Sequence, residues 1–223
     1  MSGDVAKRSL DIVLSAAALI VLLPVLLAAA VAVRLSSEGP VFYRAKRVGV
    51  GGRPFTMLKF RTMHVNHGGH VITAQNDPRV FPVGAVLRKT KIDELPQLLN
   101  VLVGQMSIVG PRPEDPKIVD EHYTDLQRET LNVRPGLSSP GSLYYYAHGE
   151  QLLNTDDPER AYVERLLSVK LALDLVYVRE ASLAYDVNVI LRTIVVLVQI
   201  VLGKDDFPEP PEMARAREVY GFL

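Results

Sequence analysis

There is no cysteine in this chain of 223 residues. That excludes a disulfide framework and any thiolate metal site, and it fits a reducing compartment. Net charge is lacking too, since 25 Lys plus Arg balance 25 Asp plus Glu. The balance hides a local gap. From Gly39 to Asn76 no acidic residue occurs, while Arg44, Lys46, Arg47, Arg53, Lys59 and Arg61 all fall there. A block of one sign points to an anionic partner: phosphates, nucleic acid or an acidic lipid surface. The glycine-rich stretch from Val48 to Pro54 is not followed by Gly-Lys-Ser/Thr, so it is not a P-loop. No internal repeat is present. The length suits one sizeable domain with a small appendage, divided here into an anchor over 1–36, a main unit over 37–203 and a tail over 204–223.

Long hydrophobic runs are what the chain does have. Ile12 to Val33 is apolar apart from Ser15 and Pro24, and about 20 such residues span a bilayer core. Three readings fit. A cleaved signal has Lys7 and Arg8 as its basic region and Ala28 to Ala30 as a cleavage zone, but the run exceeds the usual 7–15 or so apolar residues. A plain spanning helix fits by length. A re-entrant helix fits Pro24, which cannot donate to the carbonyl of Ile20 and should kink the chain. It also fits the basic flanks at both ends, Lys7 and Arg8 before, Arg34 and Arg44 after. A second run, Val187 to Leu202, contains Asn188, Arg192 and Gln199. It is short for a span and suits an amphipathic surface helix or a core helix.

Between these runs the pattern predicts an α+β, mainly helical fold. Val41–Arg44 and Phe55–Phe60 read as strands of a hairpin. Val83–Lys89 reads as a brief helix, and a longer one is expected from Asp93 to a stop at Gly104, with Pro96 tolerated in its first turn. Helices are also expected over Pro116–Asn132 and Asp157–Leu173. Arg134–His148 reads as a loop entering three tyrosines. The tail after Gly203 reads as loosely ordered, with a short helix over Glu212–Val219.

Asp93 and Glu94 are the leading chemical candidates. Carboxylates in a first helical turn commonly do no more than balance the dipole. Here Arg88, Lys89 and Lys91 precede them and Arg112 follows a rigid connector, which makes an anion site. A pyrophosphate substrate needs such cations, Mg²⁺ held by carboxylate oxygen is its usual partner, and an ionised carboxylate can attack phosphorus. His64, His67 and His70 have a spacing that suits zinc or a plain solvated loop. Tyr144, Tyr145 and Tyr146 suit stacking on a base or sugar, or a strand or membrane interface.

Four motifs occur together in this chain: Gly39-Pro40-Val41-Phe42-Tyr43-Arg44, Lys59-Phe60-Arg61-Thr62-Met63, Asp93-Glu94-Leu95-Pro96-Gln97, and Met106-Ser107-Ile108-Val109-Gly110-Pro111-Arg112-Pro113. From about Lys7 to Leu202 the chain resembles the bacterial sugar transferases, also called monotopic phosphoglycosyl transferases, in their short form. The resemblance implies cleavage of a UDP-sugar at the cytoplasmic face of the bacterial inner membrane, through a phosphosugar-aspartate intermediate, with UMP released. The phosphosugar then passes to polyprenol phosphate, usually undecaprenyl phosphate, at the start of surface glycan assembly. It implies Asp93 as nucleophile and Mg²⁺ ligand, Glu94 as its catalytic neighbour, and Lys59, Arg61, Arg88, Arg112 and Arg134 as phosphate or substrate contacts. It also implies a re-entrant anchor broken at Pro24 and amphipathic helices at the membrane lipids, with no nucleic acid partner; a homodimer is left open. The chain departs from the family pattern at Leu23, where serine is common, and at Gln105, where aspartate is common. Leu137-Ser138-Ser139-Pro140-Gly141 also replaces a stretch that usually contains Trp and Gln. A membrane-tethered module binding nucleic acid or another polyanion through the basic block is the alternative, since Phe42, Tyr43, Phe55 and Phe60 interleave with its cations.

Overall fold

The computed structural model describes residues 2–65, 77–153 and 155–220. It opens with two helices, α1 (Ser2–Val21) and α2 (Leu23–Ser36), bent by 63° at Leu22. Pro24 has no N–H to offer to the preceding turn, and the bend falls two residues before it. The segment is tied down at both ends. Arg8 donates to the carbonyls of Val101 and Leu102 at 2.6 and 2.8 Å. Buried Asp11 accepts from Ser107 Oγ and the Ile108 N–H. At the other end Ala29 and Val33 pack with Phe60, Phe81 and Leu87. The N-terminal basic flank that suggested a membrane boundary is therefore engaged within the protein, while apolar side chains are exposed along both helices, including Val13, Ile20, Val21, Leu23, Leu27 and Val31.

The predicted hairpin is present, with β1 (Phe42–Val48) antiparallel to β2 (Pro54–Phe60). Phe60 is buried and stacks on Phe42, so these two aromatics pack on each other. Helix α3 (Pro82–Lys89) follows as expected. Next come a 3-10 turn over Ile92–Glu94 and α4 (Gln97–Leu102). The helix thus begins at Gln97, not Asp93, and ends near Gly104, whose φ of +85° suits a glycine stop.

A second sheet was not foreseen. Strand β3 (Ser107–Val109) runs parallel to β4 (Gly136–Ser138), inside what the sequence suggested was loop. The expected Pro116–Asn132 helix is broken into α5 (Pro116–His122) and a 3-10 turn over Gln127–Asn132. The tyrosines lie on a helix, α6 (Pro140–Leu152). Helix α7 (Pro158–Ala161), a π-helical stretch over Tyr162–Leu167 and α8 (Ser168–Glu180) extend the helix expected from Asp157.

Helix α9 (Leu183–Val201) has 19 residues and, by length and composition, could cross a membrane, which corrects the expectation that this run is too short. Its Arg192 pairs with buried Glu212 at 2.6 Å, and its buried Asp186 accepts from Lys7 at 2.7 Å. The tail is docked. Helix α10 (Met213–Tyr220) buries Met213 and Ala216 against α8, so the loose tail expected from its prolines is corrected by an apolar stripe. Under the site, α8 contributes Lys170 and Asp174, both buried. Lys170 is ion-paired with Glu114, and Asp174 accepts from the N–H groups of Gly141 and Arg112.

Candidate active site

Asp93 and Glu94 sit on one short turn whose entry is unusual. Lys91 adopts a left-handed conformation, φ 56° and ψ 16°, which for a lysine costs on the order of 1–3 kcal/mol. This residue ends α3 and turns the chain so abruptly that the next three residues form a single 3-10 turn. Pro96 then fixes the backbone ahead of α4. The result places both carboxylates inside the protein, at 7% and 6% exposure.

Glu94 is fully engaged. Its Oε1 accepts from Lys59 Nζ of β2 at 2.8 Å and from Arg112 Nη2 at 2.6 Å. Its Oε2 accepts from Tyr146 Oη of α6 at 3.0 Å and from Arg112 Nη1 at 3.3 Å. Burial by itself would raise this carboxyl, but the Arg112 guanidinium and the Lys59 ammonium outweigh it and hold it well below the usual carboxylate range. Such a group is a permanent anion at neutral pH.

Asp93 is in the opposite state. Its Oδ1 is buried and has no hydrogen-bond partner among the described residues. Burial raises its pKa, Lys59 opposes that rise, and the neighbouring Glu94 charge adds to it. Lys91, just after α3, and Arg88, in its last turn, also favour the ionised form of Asp93. A buried carboxylate oxygen without a donor is poorly solvated and correspondingly reactive. The two lysines are affected in their own way: burial lowers the pKa of both Lys59 and Lys91.

Arg112 reaches the site because two glycines let backbones touch. Gly110 N donates to Ser138 O at 2.9 Å and Gly136 N donates to Pro111 O at 2.8 Å, an approach that leaves no room for a side chain on either residue. Pro111 and Pro113 on either side stiffen the connector.

Of the sequence-predicted residues, the fold brings Lys59, Arg88, Asp93, Glu94 and Arg112 together. Arg61 and Arg134 keep other company. Arg61 donates to Pro40 O, Ser37 Oγ, Ser37 O and Met63 O, which ties the end of the anchor to the hairpin. Arg134 donates to Gly104 O and pairs with Asp4. Pro24 lies at the bend. His67 and His70 fall outside the described residues, and His64 contacts Ser37 Oγ at 3.0 Å. Sequence reasoning did not assign Tyr146, which completes the Glu94 cluster, nor buried Gln97, whose Nε2 has no partner among the described residues.

The full set has one free carboxylate oxygen, one neutralised carboxylate and several buried cations, which suits a substrate rich in phosphate oxygen. The family model for bacterial sugar transferases matches residues 2–200. The chain belongs to the bacterial sugar transferase family.

Relatives sharpen the picture. The chain is 40% identical over 196 residues to a UDP-glucose:undecaprenyl-phosphate glucose-1-phosphate transferase of Caulobacter vibrioides, covering 86% of this chain and 69% of that protein. It is 40% identical over 192 residues to the Escherichia coli protein of the same name, covering 84% of this chain but only 39% of that longer protein. It is 37% identical over 213 residues to the exopolysaccharide production protein ExoY of Rhizobium meliloti, covering 86% and 85%. A further relative from Aeromonas hydrophila, 38% identical over 193 residues with 84% and 42% coverage, is named for UDP-N-acetylgalactosamine. The family thus includes different donor sugars.

Proposed function

We propose that this chain transfers a sugar 1-phosphate from a UDP-sugar to polyprenol phosphate, giving a polyprenyl-diphosphate sugar and UMP. The unpartnered, buried Oδ1 of Asp93 beside a cation-locked Glu94 is the observation that carries the proposal. The Asp93 carboxylate attacks the phosphorus that bears the sugar. A bond from aspartate oxygen to phosphorus forms as the pyrophosphate bridge breaks, and UMP departs with the electron pair. The lipid phosphate then attacks the same phosphorus, the aspartyl bond breaks, and Asp93 is regenerated.

In this reading Lys59, Arg88 and Arg112 compensate the phosphate charge, supported by the hydrogen bonds through which Glu94 holds Lys59 and Arg112. Among the described residues no cluster of three or more acidic or histidine side chains could enclose a metal. A Mg²⁺ held by one carboxylate oxygen and substrate phosphates fits instead. Asp93 Oδ1 is the oxygen available for it, since those of Glu94 are taken, and the ion would neutralise charge on the pyrophosphate.

The bent N-terminal pair is read as a re-entrant anchor. Both of its ends dock on the same body, Arg8 and Asp11 before the bend and Ala29, Val33 and Ser37 after it. That body then lies on one side of the bilayer, the cytoplasmic side where a UDP-sugar donor is available. Single cysteines near residues 3 and 37 should both react only from the cytoplasmic side; labelling of the first from outside would mean a spanning helix.

Purified protein mixed with a panel of UDP-sugars, Mg²⁺ and undecaprenyl phosphate should release UMP from a subset of donors, in step with lipid-linked product. No UMP from any donor would contradict the proposal and leave the polyanion-binding alternative.

A further inference from the structure

Tyr146 lies on the helix that begins within the stretch Leu137–Gly141, where this chain departs from the usual family pattern, and it touches both sides of the nucleophile. Its hydroxyl donates to Glu94 Oε2 at 3.0 Å and accepts from Arg112 Nη1 at 3.2 Å. Its ring lies beneath Lys91 Nζ, 4.3 Å from the centroid. Lys91 is two residues before Asp93, and Glu94 is the residue after it. One aromatic side chain therefore grips the turn at both flanks.

The helix that presents it is well anchored. Ser139 caps the N-terminus of α6 by accepting from Ser142 N, and Asp174 beneath it accepts from Gly141 N at 2.9 Å. Both anchors are buried. With one face under Lys91 and its hydroxyl in two hydrogen bonds, Tyr146 is already committed within the protein.

We propose that Tyr146 is a positioning residue for the reaction, holding the Lys91–Glu94 turn and the Arg112 guanidinium in the geometry that leaves Asp93 unpartnered and aimed at phosphorus. The inference rests on the transferase reading given above. The hydroxyl fixes Glu94 and Arg112 to each other, and the ring supports Lys91 in its left-handed conformation. Burial and the Glu94 charge both keep the phenol protonated, so it remains a donor to that carboxylate.

The test uses full-length protein in detergent or nanodiscs, with UDP-glucose and UDP-N-acetylgalactosamine as donors. A UMP burst without lipid acceptor counts competent sites, and turnover is expressed per competent site. Tyr146→Phe keeps the ring and loses the hydroxyl; turnover per site should fall about tenfold, with the donor KM within about twofold and the melting temperature near that of the parent. Tyr146→Leu also removes the support under Lys91 and should fall further. In a Glu94→Gln background, loss of the hydroxyl should matter much less, since its acceptor charge is gone. Parent-like turnover of Tyr146→Phe, a loss explained wholly by fewer competent sites, or full additivity with Glu94→Gln would each overturn the proposal. Because UMP release by the parent is measured separately in the donor panel, a defect confined to the variants bears on Tyr146 alone.

Discussion

Asp93→Asn releases UMP at least roughly 10⁴-fold more slowly than the parent, and it melts at the same temperature or higher. The carboxamide cannot attack phosphorus, so no competent nucleophile remains in the cluster; Glu94 is held by Lys59, Arg112 and Tyr146. The stability result has its own physical cause. Burial raises the Asp93 pKa, so the folded protein disfavours the ionised form relative to the unfolded chain. That cost applies above the raised pKa and is relieved as pH falls through it. A neutral isostere removes the cost. Glu94 has the opposite sign: its carboxyl is held low, so its contribution is present above the unfolded carboxylate pKa and is lost as pH falls toward the folded one. Measured side by side at neutral pH, Asp93→Asn should be inactive and stable, whereas Glu94→Gln should be weakened but measurably active, and less stable. A lowered melting temperature for Asp93→Asn would mean that the aspartate is structural.

Gly136→Ala has the second large effect, and it acts through folding. A Cβ at this position would collide with the backbone N, O and Cα of Gly110, and backbone cannot swing aside as a flexible side chain can. The parallel pairing of β3 with β4 must open to admit it, which breaks the Gly136 N to Pro111 O hydrogen bond and shifts the connector that delivers Arg112. Overpacking of this kind costs about 1–3 kcal/mol even where a side chain can yield, and more where none can. The expected outcome is a large fall in soluble yield and melting temperature. A control at Gly51, where an added Cβ meets nothing within 4 Å but φ is +66°, should show a much smaller loss, from backbone strain alone. Equal losses at the two positions would contradict the close-contact explanation.

The sequence was most readable where local signals acted alone. The hairpin followed from two β-prone runs around a glycine turn, and α3 was expected over Val83–Lys89, one residue short of its proline start. Asp93 and Glu94 were legible because cations surround them in the sequence as well as in space. Other features were overlooked although their signals were present. Thr124 and Gln127 form a reciprocal capping box that restarts the chain after α5, which is why the long helix expected there is broken. Ser139 followed by Pro140 is a helix-start signature, and reading it as loop hid the helix that carries Tyr146 to Glu94. The left-handed Lys91 and the Gly110–Gly136 crossing have no local signature, because each is imposed by packing between segments distant in the chain. The roles expected for Arg61 and Arg134 were implied by the family resemblance. In the structure their donors are directed to backbone carbonyls, those of Ser37 and Pro40 for Arg61 and that of Gly104 for Arg134.

The most direct test is a peptide map. Protein is mixed with a competent UDP-sugar and Mg²⁺, without lipid acceptor, quenched, digested and analysed by mass spectrometry. The account predicts a sugar-phosphate adduct on the peptide containing Asp93, lost when undecaprenyl phosphate is added before the quench. An active enzyme that leaves no adduct, or one on any other residue, would contradict it.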